Sequence, residues 1–164
     1  MKIKIIWVGK TKSSPIKTLA ADYLERIRRM ASCEILETRD PAKGRAPLAD
    51  ERIKMESDEI TRQLPKSAFV VALDESGKQY ASEEFAHRLE IEQNCGTKEI
   101  VFIVGGPDGL SSDISARAQM VLSLGKMTWT HEMCRALLLE QIYRALCILN
   151  KIPYHKGSPS TPGR

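Results

Sequence analysis

The chain alternates two hydrophobic patterns. IKIIWVG (3–9), CEILETR (33–39), AFVVALD (68–74) and EIVFIVGG (99–106) are short runs, the last two apolar almost throughout, whereas the intervening segments space their apolar residues three or four apart. Short runs bounded by turn residues indicate strands, and the wider spacing indicates helices. Helices are accordingly predicted over 14–30, 47–64, 82–94, 111–120 and 131–150, with 121–129 as a last strand or an irregular segment. Ser14 is placed as the cap of the first helix with Pro15 at its first position, Ser82 opens the third ahead of acidic residues, and ESGK (75–78) is expected to be a turn. The segment 47–64 is rich in charge pairs four apart. Apolar strands separated by helices indicate a parallel sheet covered on both faces. The expected fold is α/β, a single-domain parallel-sheet sandwich of about five strands.

A length of 164 residues suits one domain with its own core. The last residues, KGSPSTPGR, have the composition of disorder, so 157–164 are expected to form a disordered tail. The start, MKIKIIWVGK, interleaves lysines with a short apolar run and is taken as a strand, not a signal sequence. No stretch reaches the roughly 20 apolar residues of a membrane span, and a cytoplasmic location is expected. Cys33, Cys95, Cys134 and Cys147 form no C-x-x-C pair, and His87, His131 and His155 are scattered, so the thiols are expected reduced and no metal is expected.

Charge changes the picture. Residues 1–30 hold eight Lys or Arg and two Asp or Glu, more net positive charge than the +4 of the whole chain. RDPAKGR adds Arg39, Lys43 and Arg45 against Asp40, and the segment from Lys151 has three basic residues and no acid. Such clustering suggests a polyanionic partner, RNA or DNA first, although scattered lysines also serve solubility.

The candidate chemistry centres on IVGGPDGL (103–110), where a buried strand stops at glycines. In open α/β sheets ligands sit beyond the carboxyl ends of the strands, which is where Gly105, Gly106 and Gly109 fall. G-G-x-x-G is not the dinucleotide fingerprint, and about 20 residues beyond Gly106 stands Lys126 and no ribose-binding acid. GKT (9–11) lacks the upstream glycine of a phosphate loop. LSLGKMTW places Gly125 after another buried segment and LDESG ends the third strand, so three loops converge on one rim and can form a pocket for a flat heterocycle and a ribose.

On a helical wheel of 131–150, Glu140 and Arg144 share a side with Met133, Ala136 and Leu137, while Leu138, Ile142, Ala145 and Leu149 lie opposite. Apolar residues all round suggest a helix held between its own sheet and a partner subunit. Glu140 and Arg144 are either a structural ion pair or a functional one. Tyr154, His155 and Lys156 in PYHK form either an exposed tail or a grip on nucleic acid.

IVGGPDGLS, the run LSLGKMTWTHEMCRALLLEQIYRALCILNKIPYHK, VALDESGK and the lysine-rich start closely resemble the RlmH family of SPOUT-class ribosomal RNA methyltransferases, over residues 1–156 in order. The resemblance implies a C-terminal trefoil knot, a homodimer, S-adenosylmethionine as methyl donor, and methylation of N3 of a pseudouridine in a stem-loop of large-subunit (23S) rRNA at the ribosomal subunit interface. It places the donor site on Leu73, Gly105 and the run Leu124, Gly125, Lys126, Met127, Thr128 and Trp129. Thr130 stands where relatives commonly carry proline. The expected catalytic set is Glu140 or His155 as proton acceptor, Arg144 against the developing anion and Tyr154 positioning the base, in a site composed from two chains. The rival readings are a methyltransferase for another RNA, a non-catalytic basic RNA-binding module, and a small-molecule enzyme.

Overall fold

The computed structural model describes residues 1–40 and 48–154. The elements follow in the order β1 (Lys2–Val8), α1 (Ser14–Arg28), β2 (Cys33–Thr38), α2 (Ala49–Gln63), β3 (Phe69–Lys78), α3 (Ser82–Asn94), β4 (Glu99–Val104), α4 (Ser112–Arg117), β5 (Met120–Leu122) and α5 (His131–Leu149). All strand pairs are parallel, in the order β2-β1-β4-β3-β5. Sequence and structure thus agree on an α/β fold with a five-stranded parallel sheet.

Alternation along each strand divides the core. In β1, Ile3, Ile5 and Trp7 face α1, α3 and α5, while Ile6 and Val8 face Ile60 of α2 and Ile114 of α4. Both faces bury apolar side chains, the condition under which a parallel sheet is stable. The register sets Trp7 beside Val104, Val104 beside Leu73 and Leu73 beside Leu122, so the carboxyl ends of four strands meet at one rim.

Four expectations are corrected. Ser13, not Ser14, is the N-cap of α1, and no side chain caps it; the Glu132 carboxylate instead accepts from the Lys12 and Ser13 N–H groups at 2.8 and 2.9 Å. α3 begins at Ser82, but its cap is Ala81, whose N–H donates to Glu84 at 2.7 Å. ESGK belongs to β3: the strand bulges after Leu73 and pairs again at Lys78 opposite Leu122. Gly77 makes that possible, because a Cβ there would lie 2.7 Å from the Val121 and Leu122 backbone. Finally, α4 stops at Arg117 and Met120 starts β5, a three-residue strand followed by an irregular loop.

The chain leaves β5 at the sheet edge, turns through residues 123–130 and returns with α5 packed against α1 and α3, a course consistent with the expected C-terminal knot. This also explains the apolar circumference of α5. Neighbours in its own chain cover it, so the wheel alone does not require a second subunit. The tail 157–164 lies outside the described residues, as do Lys43 and Arg45.

Candidate functional site

Beyond the rim formed by Leu73, Val104 and Leu122 opens a cleft of about 750 Å³. Three segments wall it: residues 73–76 at the bulge of β3, the glycine turn 105–110 after β4, and 122–131 from the end of β5 to the start of α5. The glycine turn is tight for a stated reason. A Cβ on Gly105 would lie 2.5 Å from the Gly109 carbonyl oxygen, Gly109 has φ +86°, and the Gly109 N–H donates to the Gly106 carbonyl at 3.1 Å.

The third loop is fixed by its own polar atoms. Buried Ser123 donates to the Gly125 carbonyl at 2.9 Å and accepts from the Gly125 N–H at 3.3 Å, while Gly125 takes φ +148°. Thr128 donates to Glu75 at 3.0 Å, tying this loop to the first. Thr130 caps α5, its hydroxyl accepting from the Met133 N–H at 3.2 Å.

Of the sequence-derived donor-site residues, Leu73, Gly105, Leu124, Gly125, Met127, Thr128 and Trp129 line the cleft, whereas the Lys126 side chain is exposed and lies outside its lining. Sequence reasoning missed Asp74, Asp108, His131 and Cys134, which line it too. Burial lowers the His131 pKa, with Arg135 and Lys12 acting the same way against Glu132, so the imidazole is neutral at pH 7. Burial also raises the Cys134 thiol. All four cysteines are free thiols, as expected.

The catalytic candidates form a second cluster. Arg144 Nε donates to Glu140 Oε1 at 3.0 Å, the Tyr154 hydroxyl donates to the same oxygen at 3.2 Å, and Gln141 donates to Oε2 at 2.7 Å. The Arg144 guanidinium lies 4.9 Å from the Tyr154 ring centre, and the Tyr154 and Tyr23 hydroxyls are 3.3 Å apart. Burial raises the Tyr154 pKa, helped by Tyr23 and Glu140, so this phenol is a hydrogen-bond donor and not a base at neutral pH. His155 lies outside the described residues.

None of Glu140, Arg144 and Tyr154 lines the cleft of its own chain. Glu140 stands six residues along α5 from Cys134, about 9 Å of helix axis. The chain therefore carries two separate constellations: a glycine-lined cleft, and an arginine held between a carboxylate and a tyrosine. The basic N-terminal segment is partly neutralised in place, Lys2 pairing with Glu34 and Glu99, Arg26 with Asp22 and Arg29 with Glu25.

A family model described as a predicted SPOUT methyltransferase matches residues 1–155. A relative from Allorhizobium ampelinum, named ribosomal RNA large subunit methyltransferase H, is 40% identical over 160 residues, covering 96% of this chain and all of the relative. One of the same name from Trichlorobacter lovleyi is 43% identical over 155 residues, covering 94% of this chain and 99% of its own. Among solved structures, a probable methyltransferase from Bordetella pertussis Tohama I aligns over 88% of this chain and 96% of that one, with a TM-score of 0.55 and 13% identity, a likeness of fold.

Proposed function

The chain belongs to the SPOUT methyltransferase family, and on that premise we propose that it transfers a methyl group from S-adenosylmethionine to N3 of a pseudouridine in a stem-loop of large-subunit ribosomal RNA, at the ribosomal subunit interface, working as a homodimer in the cytoplasm. The observation that carries this reading is the cleft at the carboxyl rim of the sheet. Its volume falls within the roughly 300–1,000 Å³ of small-molecule sites. Leu73, Leu110, Leu122 and Trp129 give it apolar walls, and the glycine turn and the 123–125 loop offer backbone donors and acceptors for a purine and a ribose. Asp74, Glu75 and Asp108 give it a negative side, suited to a ligand with a sulfonium and an ammonium group. These residues fit the donor, which when bound supplies an electrophilic methyl group.

The rest falls to the chain's own side chains. N3 of a pseudouridine is an imide nitrogen, and removing its proton at neutral pH costs about 3–4 kcal/mol if its pKa lies two to three units above 7. Arg144 stabilises the developing anion and the Tyr154 hydroxyl orients the base. Glu140 already accepts from Arg144, Tyr154 and Gln141, so its role is to hold Arg144 and Tyr154 in place, and His155 takes the proton. In single-turnover assays at saturating donor and RNA, Glu140→Gln is expected to keep its rate within about tenfold of wild type and His155→Ala to lose about 10²–10⁴-fold. The reverse order would exchange the two roles.

Separation of the cleft from the Arg144 cluster supports a site shared by two chains. Met127 and Trp129 expose apolar surface on the loop beside the cleft, which a second chain would cover. Joining an anion to a sulfonium destroys charge, so exclusion of water by that chain favours the reaction. Mixing a Gly105→Ala chain with a His155→Ala chain is expected to restore about one working site per heterodimer. A mixture as inactive as its parents would rule out the shared site.

The activity itself is tested by methyl transfer from labelled donor to assembled ribosomes and to naked rRNA, with the product mapped by mass spectrometry. Label at one pseudouridine N3 is expected. Donor binding without label on either substrate would move the substrate to another RNA.

A further inference from the structure

We infer that Glu56 is a positioning residue for donor binding: from behind the sheet rim, on α2, it fixes the shape of the Gly105–Gly109 turn. This rests on the donor reading of the cleft. Glu56 is only 3% exposed. Its carboxylate accepts a hydrogen bond from the Gly106 N–H, and a Cβ on Gly106 would lie 2.6 and 2.7 Å from its two oxygens. One helical turn earlier, Arg52 donates to Asp108 at 2.8 Å. Two successive turns of α2 therefore hold the glycine turn at two points, a peptide N–H and a side chain, and both Gly106 and Asp108 line the cleft.

Packing alone does not explain a carboxyl group at this position. Arg52, Glu56 and Ile60 are spaced four apart and share a face, and Ile60 is fully buried in the apolar cluster beneath β1, β3 and β4. A leucine at 56 would extend that cluster without desolvating an acid. Burial instead pushes the Glu56 pKa up to about 7, with Asp40 and Asp108 adding to the rise and Arg52 and the Gly106 N–H opposing it. Oε2 of Glu56 and Nε of Arg52 are buried without a hydrogen-bond partner. Such a cost is accepted where a group imposes a geometry that an apolar side chain cannot. Here the geometry is the orientation of the Gly105–Gly106 peptide, whose N–H meets Glu56; the carbonyl on the other side of the Gly106 Cα accepts from the Gly109 N–H and closes the turn.

The test compares Glu56→Leu, Glu56→Gln and Arg52→Met in the full chain. Calorimetry gives the S-adenosylmethionine affinity, kinetics on ribosomes give kcat and the KM of each substrate, and thermal melts give stability. Glu56→Leu is expected to weaken donor affinity about 10- to 100-fold, what loss of a hydrogen bond to a charged group is worth. Its kcat at saturating donor and its KM for ribosomes should stay near wild type, and its melting temperature should not fall. Glu56→Gln keeps an oxygen for the Gly106 N–H and should stay within about threefold. Arg52→Met, which releases only Asp108, should lie between them. Wild-type donor affinity in Glu56→Leu, or a fall in kcat with donor KM unchanged, would overturn the positioning role; should Glu56→Leu not fold, Arg52→Met with wild-type donor KM does so. A wild-type chain that binds no donor overturns the donor reading instead.

Discussion

Gly105→Ala is expected to weaken donor binding by up to about 100-fold while leaving a folded protein that still binds RNA. The added Cβ would sit 2.5 Å from the Gly109 carbonyl oxygen and 2.7 Å from its carbonyl carbon. Those are backbone atoms, so no side-chain rotation relieves the contact, and the turn must open. Overpacking of this kind costs about 1–3 kcal/mol. The turn lies at the surface end of β4, so it can open without disturbing the core, and the cost falls on the cleft it lines. At the upper end of that range the loss corresponds to about two orders of magnitude in Kd. Gly109→Ala separates close approach from backbone conformation. A Cβ there meets nothing within 4 Å, and only the φ of +86° opposes it, a strain of about 1–2 kcal/mol. Calorimetry should therefore rank the variants with Gly105→Ala weaker than Gly109→Ala and both weaker than wild type. Wild-type affinity in Gly105→Ala would remove the glycine turn from the donor site.

The strands β3 and β4 were legible because burial on both faces leaves an almost unbroken apolar run, β1 because a short apolar run is bounded by a turn residue, and the glycines after β4 marked the rim. The second half of β3 was hidden by its composition. ESGK carries every local signal of a turn, and only the backbone of β5 lying against Gly77 keeps it in the sheet. That contact is between residues more than 40 apart in the chain, which no local pattern encodes. The loop residues 124–129 entered through family resemblance, and the structure brings all but the Lys126 side chain to the cleft lining. Glu56 was missed because 47–64 looks like a solvated, charge-rich helix. The available signal was the spacing of Arg52, Glu56 and Ile60, which puts two charged residues on the face that buries an isoleucine. The apolar circumference of α5 was read as a helix between its own sheet and a partner subunit, since a wheel counts apolar sides and does not say that α1 and α3 flank the helix.

Arg135 was overlooked for a related reason, and it carries the largest expected effect on stability. Among the described residues it is the largest fully buried side chain, at 0% exposure, on an otherwise apolar face of α5. Nη2 donates to the Val8 carbonyl at 2.6 Å, Nη1 donates to Thr11 at 2.8 Å, and the guanidinium lies 5.0 Å from the Trp7 ring centre. With Glu132 holding the Lys12 and Ser13 N–H groups, it fastens the β1–α1 loop to the start of α5, where His131 and Cys134 line the cleft. Burial lowers its pKa, opposed by Glu132 and Glu37. Arg135→Ala leaves a cavity against Trp7 and strands the Val8 carbonyl, and should cost about 3–5 kcal/mol. In a domain of this size that lowers Tm by roughly 6–20 °C. Arg135→Met keeps most of the stem volume and removes the desolvated charge together with its bonds, so its loss should be only about 1–2 kcal/mol. Arg135→Lys retains a charge without the planar fork that serves Val8, Thr11 and the indole at once, and should fall nearer to alanine. Urea melts of the three variants decide the matter. A loss below about 1 kcal/mol in Arg135→Ala would mean that Glu132 alone anchors the loop, and the buried guanidinium would need another explanation.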